Sequence, residues 1–278
     1  MVTLKETLDK NKSAYKLNGF GPIYCINLDG QPERWKYMEE QFEYWELTNY
    51  ERISAYDGRE DDLSDIIKGR YPELMTSGEV GCVTSHLKAI KHWLETSDSP
   101  YAIIMEDDCN LDLVKYWNFT WYDAIARVPY DWDLLQLAII CTGDIHVKIH
   151  KRFVNEFSTA CYVITRHHAE KMIRLHCRGD KYKLDNGVRP RPVADDLLYN
   201  SGNSYSIPFL LYKIELGSSI HPDHVDAFHK GNHQAIMNFW QTQGASFTIE
   251  NFMDYNPYLG RTVESSAQQK QDAENQTS

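Results

Sequence analysis

Three consecutive carboxylates, Glu106, Asp107 and Asp108, follow directly on the apolar run Ala102–Met105. Acids crowded at the end of a buried strand repel one another, and a divalent cation relieves that repulsion. Oxygen donors of this kind suit Mg²⁺ or Mn²⁺. Side chains alternate along a strand, so Glu106 and Asp108 are expected on one side and Asp107 on the other. A second acidic pair, Asp195 and Asp196 in "PVADDLLYN", precedes another apolar run. Four histidines follow in "GSSIHPDHVDAFHKGNHQ": His221, His224, His229 and His233. One of these imidazoles, His221 by choice, is expected to complete the ligands of the cation. Each acid also has a plainer reading. Asp107, Asp108 or Asn110 would cap a helix starting near Leu111, and one of Asp195 and Asp196 would cap the helix it opens. The histidine spacing is not HExxH and no cysteine cluster accompanies it, which argues against a zinc protease or zinc finger.

The elements that must position these residues are legible in the periodicity. "PIYCINLDG" is a strand ending in a turn, and "QPERWKYMEEQFEYWEL" spaces Trp35, Met38, Phe42 and Trp45 as one helical face. A second strand is expected in "YERISAYDG". Thr76 and Glu79 have the spacing of a capping box, and Val83, Leu87, Ile90 and Leu94 line the face of the helix they open. That helix should stop before Pro100, because the residue before proline disfavours the helical conformation. The strand at 101–105 follows, then a helix near 111–127, strands in "WDLLQLAII" and "STACYVIT", a helix at 166–176, and core segments "VADDLLYNSG" and "YSIPFLLYKI". Alternating strands and helices predict an α/β fold, a mainly parallel sheet covered by helices on both faces. The expected organisation is a polar lead-in over 1–20, one domain over 21–262 and a disordered tail over 263–278.

Composition narrows the function. With 40 acidic and 29 basic side chains the 278-residue chain carries a net charge of −11, which argues against a nucleic-acid surface. Six scattered cysteines without a CxxC pair read as buried free thiols. No apolar run is long enough to span a membrane, and the charged N-terminus is unlike a signal peptide. A cytoplasmic location is therefore expected. Sequons at Asn11, Asn118 and Asn275 are read as chance matches.

The order of motifs, "CINLDGQPERW", "SAYDG", "SGEVGCVTSHLKAIKHW", "YAIIMEDD", "DLLQLA", "STACYVITRHHAEKM" and "VADDLL", resembles glycosyltransferase family 25 over roughly residues 22–220. That family includes bacterial lipooligosaccharide galactosyltransferases and collagen-modifying galactosyltransferases. The resemblance implies a GT-A (Rossmann-like) fold, a UDP-sugar donor, Mn²⁺ (or Mg²⁺), and inverting transfer of galactose or glucose to a hydroxyl of a glycan or hydroxylysine-type acceptor. It makes "EDD" the metal-binding motif, with Asp108 and Glu106 or Asp107 near the ion. It places Asp195 and Asp196 where catalytic acids are expected, with Asp195 favoured as base. Asn27, Leu28, Asp29 and Arg34 fall beside the nucleotide, and Ser85 and Asp107 are counted with them. Ser85 also reads as a helix residue bonding its own backbone, and His86 as a structural partner of the "EDD" loop. Gly30-Gln31 departs from the basic residues that often follow the Asp. The chain also lacks the ER-retention signal of the animal collagen enzymes. Two other classes fit the acidic strand ends: a metal-dependent phosphoesterase or nuclease, and a catalytically inactive sugar-binding module.

Overall fold

Residues 11–141, 144–184, 192–216 and 229–252 are described by a computed structural model. His221, His224, Asn275 and the tail over 263–278 lie outside them. The first strand, β1 (Ile23–Asn27), is buried at every position and pairs in parallel with β2 (Tyr50–Ser54) and β3 (Tyr101–Glu106). The hairpin-like strand β4 (Cys109–Asn110), then β5 (Leu134–Ala138), β6 (Cys161–Thr165) and β7 (Ser204–Tyr212) complete the order β2-β1-β3-β6-β5-β7-β4. A short strand, His150–Lys151, also pairs with β7. The long strands share one direction except β6, which is antiparallel to both β3 and β5. Among the described residues no helix lies between β5 and β6, so the chain returns without the crossover that a parallel pair requires. The result is a mainly parallel, Rossmann-like sheet.

Helices cover both faces because the strands alternate. Ile103 and Met105 of β3 pack on one side with Met38 and Phe42 of α1 (Pro32–Tyr44), while Ala102 and Ile104 pack on the other with Val83, Leu87 and Ile90 of α2 (Ser77–Thr96). The predicted capping box is formed: Glu79 N–H donates to Thr76 Oγ1 at 3.2 Å and Thr76 N–H to Glu79 at 2.8 Å. The helix ends at Thr96, ahead of Pro100 as expected. The helix expected near 111–127 is instead a 3₁₀ turn, Asp112–Tyr116, and the short α3 (Trp121–Ile125). Asn110 explains part of this difference, since its Oδ1 accepts from Asp112 N–H at 2.8 Å in a turn of its own. The remaining helices are α4 (Arg166–His176), α5 (Ala194–Tyr199) and α6 (Lys230–Gln243).

Pro208 sits inside β7, where it removes a ladder donor. Register between β7 and β5 shifts across Ser206 and Leu210, so the proline falls in an irregularity. All six cysteines are free, as expected. Among the described residues no helix is long and apolar enough to cross a membrane.

Candidate active site

The carboxyl ends of β1 and β3 lie side by side, with Ile26 opposite Glu106. In open α/β sheets, ligands occupy the crevice at such ends. Here that crevice is walled by Asn27 and Leu28, by the loop Tyr56–Arg59, by Cys82 and Ser85 of α2, and by the acidic end of β3.

Glycine makes the crevice possible at two points. A Cβ on Gly58 would meet the Ser77 carbonyl oxygen at 1.9 Å, and one on Gly81 would meet the Tyr56 oxygen at 2.6 Å. The loop is thus pressed directly onto the first turns of α2. Ser85 Oγ fastens it, accepting from Tyr56 N–H at 2.8 Å and donating to the Gly81 carbonyl at 2.6 Å. The Ser85 hydroxyl therefore makes the helix bond expected of its type and also holds the cleft wall.

The three acids of β3 meet three different fates. Asp107 is buried and fully engaged: Asn27 Nδ2 donates to it at 2.6 Å, and Arg34 of α1 donates through Nε at 2.7 Å. Asn27 is itself oriented by Arg52, whose Nε reaches its Oδ1 at 2.8 Å. Arg52 also pairs with exposed Asp29 at 2.6 Å, so Asp29 stands outside the cleft wall, tied to the β2 edge. Asp108 shares Arg34, 3.0 Å from its Oδ2, but its Oδ1 is buried with no hydrogen-bond partner. Burial, then the charge of Glu106, push the Asp108 carboxyl up to about 7 despite Arg34. Glu106 has other partners. Its Oε1 accepts from Thr159 Oγ1 at 2.6 Å and lies 3.3 Å from His86 Nε2. Burial would raise this carboxyl, but His86, Thr159 and Arg34 outweigh it and hold it below the usual range. The expected alternation separates Glu106 from Asp107, yet the strand ends at Glu106, and the turn beyond it brings Asp108 back to the Arg34 side.

Arg34 is the cation against buried Asp107 and partly buried Asp108. Arg34→Met is expected to cost about 3–5 kcal/mol, because breaking a buried pair from one side leaves uncompensated charge. Denaturant unfolding measures this, and a variant as stable as the parent would remove Arg34 from the role.

Asp195 and Asp196 occupy the first turn of α5, whose N-cap is Val193, without a side-chain cap. Neither aspartate is the cap that its type suggested. Asp196 accepts from Asn200 Nδ2 at 2.9 Å on the exposed side. Asp195 points inward: its Oδ1 is buried without a partner, and burial raises its carboxyl to about 6, against Arg152 and the Ser158 N–H. The charges of Glu106 and His86 also act on it, so α5 joins the β3 end in one centre.

Several residues of this centre had not been singled out. Ser158 has φ of 96°, in the left-handed region. Its carbonyl is clamped by Gln136 Nε2 and by Tyr199 Oη, each at 2.9 Å. The strained turn so held delivers the Ser158 N–H to Asp195 and the Thr159 hydroxyl to Glu106. A fully buried glutamine in the apolar strand "LLQLA" was the available signal. Arg152, stacked 4.6 Å over the Tyr199 ring, had none.

The late chain also reaches this region. Lys213 N–H donates to the Asp108 carbonyl at 2.6 Å, and the Leu216 carbonyl accepts from Arg34 at 3.3 Å. His229 and His233 pack on Tyr212, 5.2 and 6.0 Å between ring centres.

A crevice at parallel strand ends, lined by carboxylates and an arginine, is where open α/β sheets of this Rossmann-like class place their ligand sites. The chain belongs to glycosyltransferase family 25 (LPS biosynthesis protein), whose model matches residues 20–186. The match contains Glu106–Asp108 and stops before Asp195. A curated relative from Acanthamoeba polyphaga mimivirus, named a putative glycosyltransferase, is 33% identical over 93 residues, 32% of this chain and 28% of its own length. This chain thus matches well under a third of that relative. A crystal structure of a protein from STIV is similar at a TM-score of 0.34 and 11% identity, covering 68% of this chain and 82% of the other. At that score it carries no weight for the function.

Proposed function

We propose that this cleft transfers galactose or glucose from a UDP-sugar to a hydroxyl of a glycan or hydroxylysine-type acceptor, with inversion. The observation that carries the reading is the buried, unpartnered Oδ1 of Asp108 at the carboxyl end of β3. An orphaned carboxylate oxygen beside a second acid fits a hard divalent cation. Mn²⁺ (or Mg²⁺) would be held by Asp108 and Glu106, with His221 as the proposed third ligand. The last described residue before it, Leu216, already bonds Arg34. When bound, the cation neutralises charge developing on a diphosphate leaving group.

The chain's own groups divide the remaining work. Asn27, Leu28, Arg34 and Ser85 shape and hold the nucleotide side, with Asp107 locking Arg34 in place. Asp29, bonded to Arg52 and Ser54, supports Asn27 from the β2 side. Asp195 takes the proton from the acceptor hydroxyl, for which a carboxyl raised toward working pH is suited. Ser158 and Thr159 keep the two acids in register.

A thermal-shift and donor-hydrolysis panel of UDP-, GDP- and CMP-sugars, with Mn²⁺ and with EDTA, tests the proposal. Stabilisation and hydrolysis are expected for UDP-galactose or UDP-glucose and should be lost in EDTA. A clear preference for a GDP- or CMP-sugar, or phosphodiester hydrolysis independent of any sugar nucleotide, would overturn it.

A further inference from the structure

Cys82 and His86 stand one turn apart on α2, so their side chains share a face. One ligand atom from each, together with a Glu106 oxygen, all lie within 4.8 Å of one another. Thiol, imidazole and carboxylate gathered this closely are donors for a tetrahedral, borderline-soft cation, which would displace the proton that burial holds on the Cys82 sulfur, whereas Mn²⁺ and Mg²⁺ favour oxygen. We infer that Cys82, His86 and Glu106 form a second cation site in the cleft, which shares Glu106 with the proposed Mn²⁺ site but does not use the Asp108 oxygen, and which takes a divalent ion of the Zn²⁺ class.

The surroundings fit a ligand set better than simple packing. Cys82 lines the cleft wall and is partly buried, whereas the other five cysteines are buried. His86 Nδ1 lies 3.1 Å from the Tyr162 hydroxyl, the outer contact that fixes a metal-bound imidazole. Thr159 holds Glu106 in the same way. A fourth position falls toward Asp195, whose charge acts on both Cys82 and Glu106 and whose Oδ1 is unpartnered. An occupied site would engage Glu106 and Asp195, so Zn²⁺ should inhibit transfer. This consequence rests on the proposed function, but the site itself does not.

Co²⁺ serves as the spectroscopic probe on the full chain. A thiolate-to-cobalt charge-transfer band is expected, bleached by Zn²⁺ and not by Mg²⁺. Cys82→Ser and Cys82→Ala should both lose the band. Tyr162→Phe should keep it while weakening Zn²⁺ binding about 10–100-fold. Asp108→Asn should leave band and Zn²⁺ affinity in place even though Mn²⁺-dependent turnover is lost, which separates this site from the transfer reaction. Absence of the band in the parent chain would overturn the inference, as would its survival without Cys82 or its loss in Asp108→Asn.

Discussion

Asp195→Asn is expected to lower turnover by about 10²–10⁴-fold, the range set by loss of a positioned general base. UDP-sugar affinity should hold, because the nucleotide side of the cleft is built by β1, α1 and α2. The melting temperature should not fall, since Asn keeps an oxygen to accept the Ser158 N–H and no longer buries a charge, which offsets loss of the Arg152 attraction. In the parent chain the carboxyl is raised to about 6, so turnover should climb as pH rises through that value and level off above it. The variant should show no such rise. Asp196→Asn makes the contrast: it keeps an acceptor for Asn200 but removes a charge in the first turn of α5, worth about 0.3–1 kcal/mol of stability with little change in rate. Steady-state kinetics with melting curves read both. A kinetic defect confined to Asp196 would exchange the roles, and full activity in both variants would place the base elsewhere.

Asp108→Asn should abolish Mn²⁺-dependent turnover, and its second signature needs no substrate. The folded carboxyl binds its proton up to about 7, above the ordinary value of 3.8, because burial and Glu106 disfavour the charged form. For an acid raised on folding, stability is fullest at low pH. It is lost as pH climbs from the unfolded value toward the folded one. Asn carries no such penalty, so the variant's melting temperature relative to the parent should rise between about pH 4 and pH 7 and level off above that, with no metal present. Protons and metal compete for the same oxygen, so apparent Mn²⁺ affinity in the parent should weaken below about pH 7. A variant that retains metal-dependent turnover, or a flat difference in melting temperature across that range, would remove Asp108 from the site.

Much of this protein was written locally. The capping box at Thr76 and Glu79, the helix at Arg166–His176 and the core strands follow from period and cap chemistry, which act within a few residues. The acidic end of β3 was equally visible, because three carboxylates after an apolar run have no packing role. What the sequence could not settle was how those acids differ from one another. Asp107, Asp108 and Glu106 are neighbours of the same chemical type. Only the arrival of Arg34 and Asn27 from one side, and of His86 and Thr159 from the other, makes one a lock, one an orphan and one a shared acceptor. The same holds for Asp195 and Asp196, where the turn of α5 sends one inward and one toward Asn200. Gly58 and Gly81 look like ordinary turn and helix glycines until the loop of one is laid against the helix of the other. Each of these outcomes depends on groups distant in sequence meeting at hydrogen-bond range, and burial then magnifies a small difference in partners into different charge states.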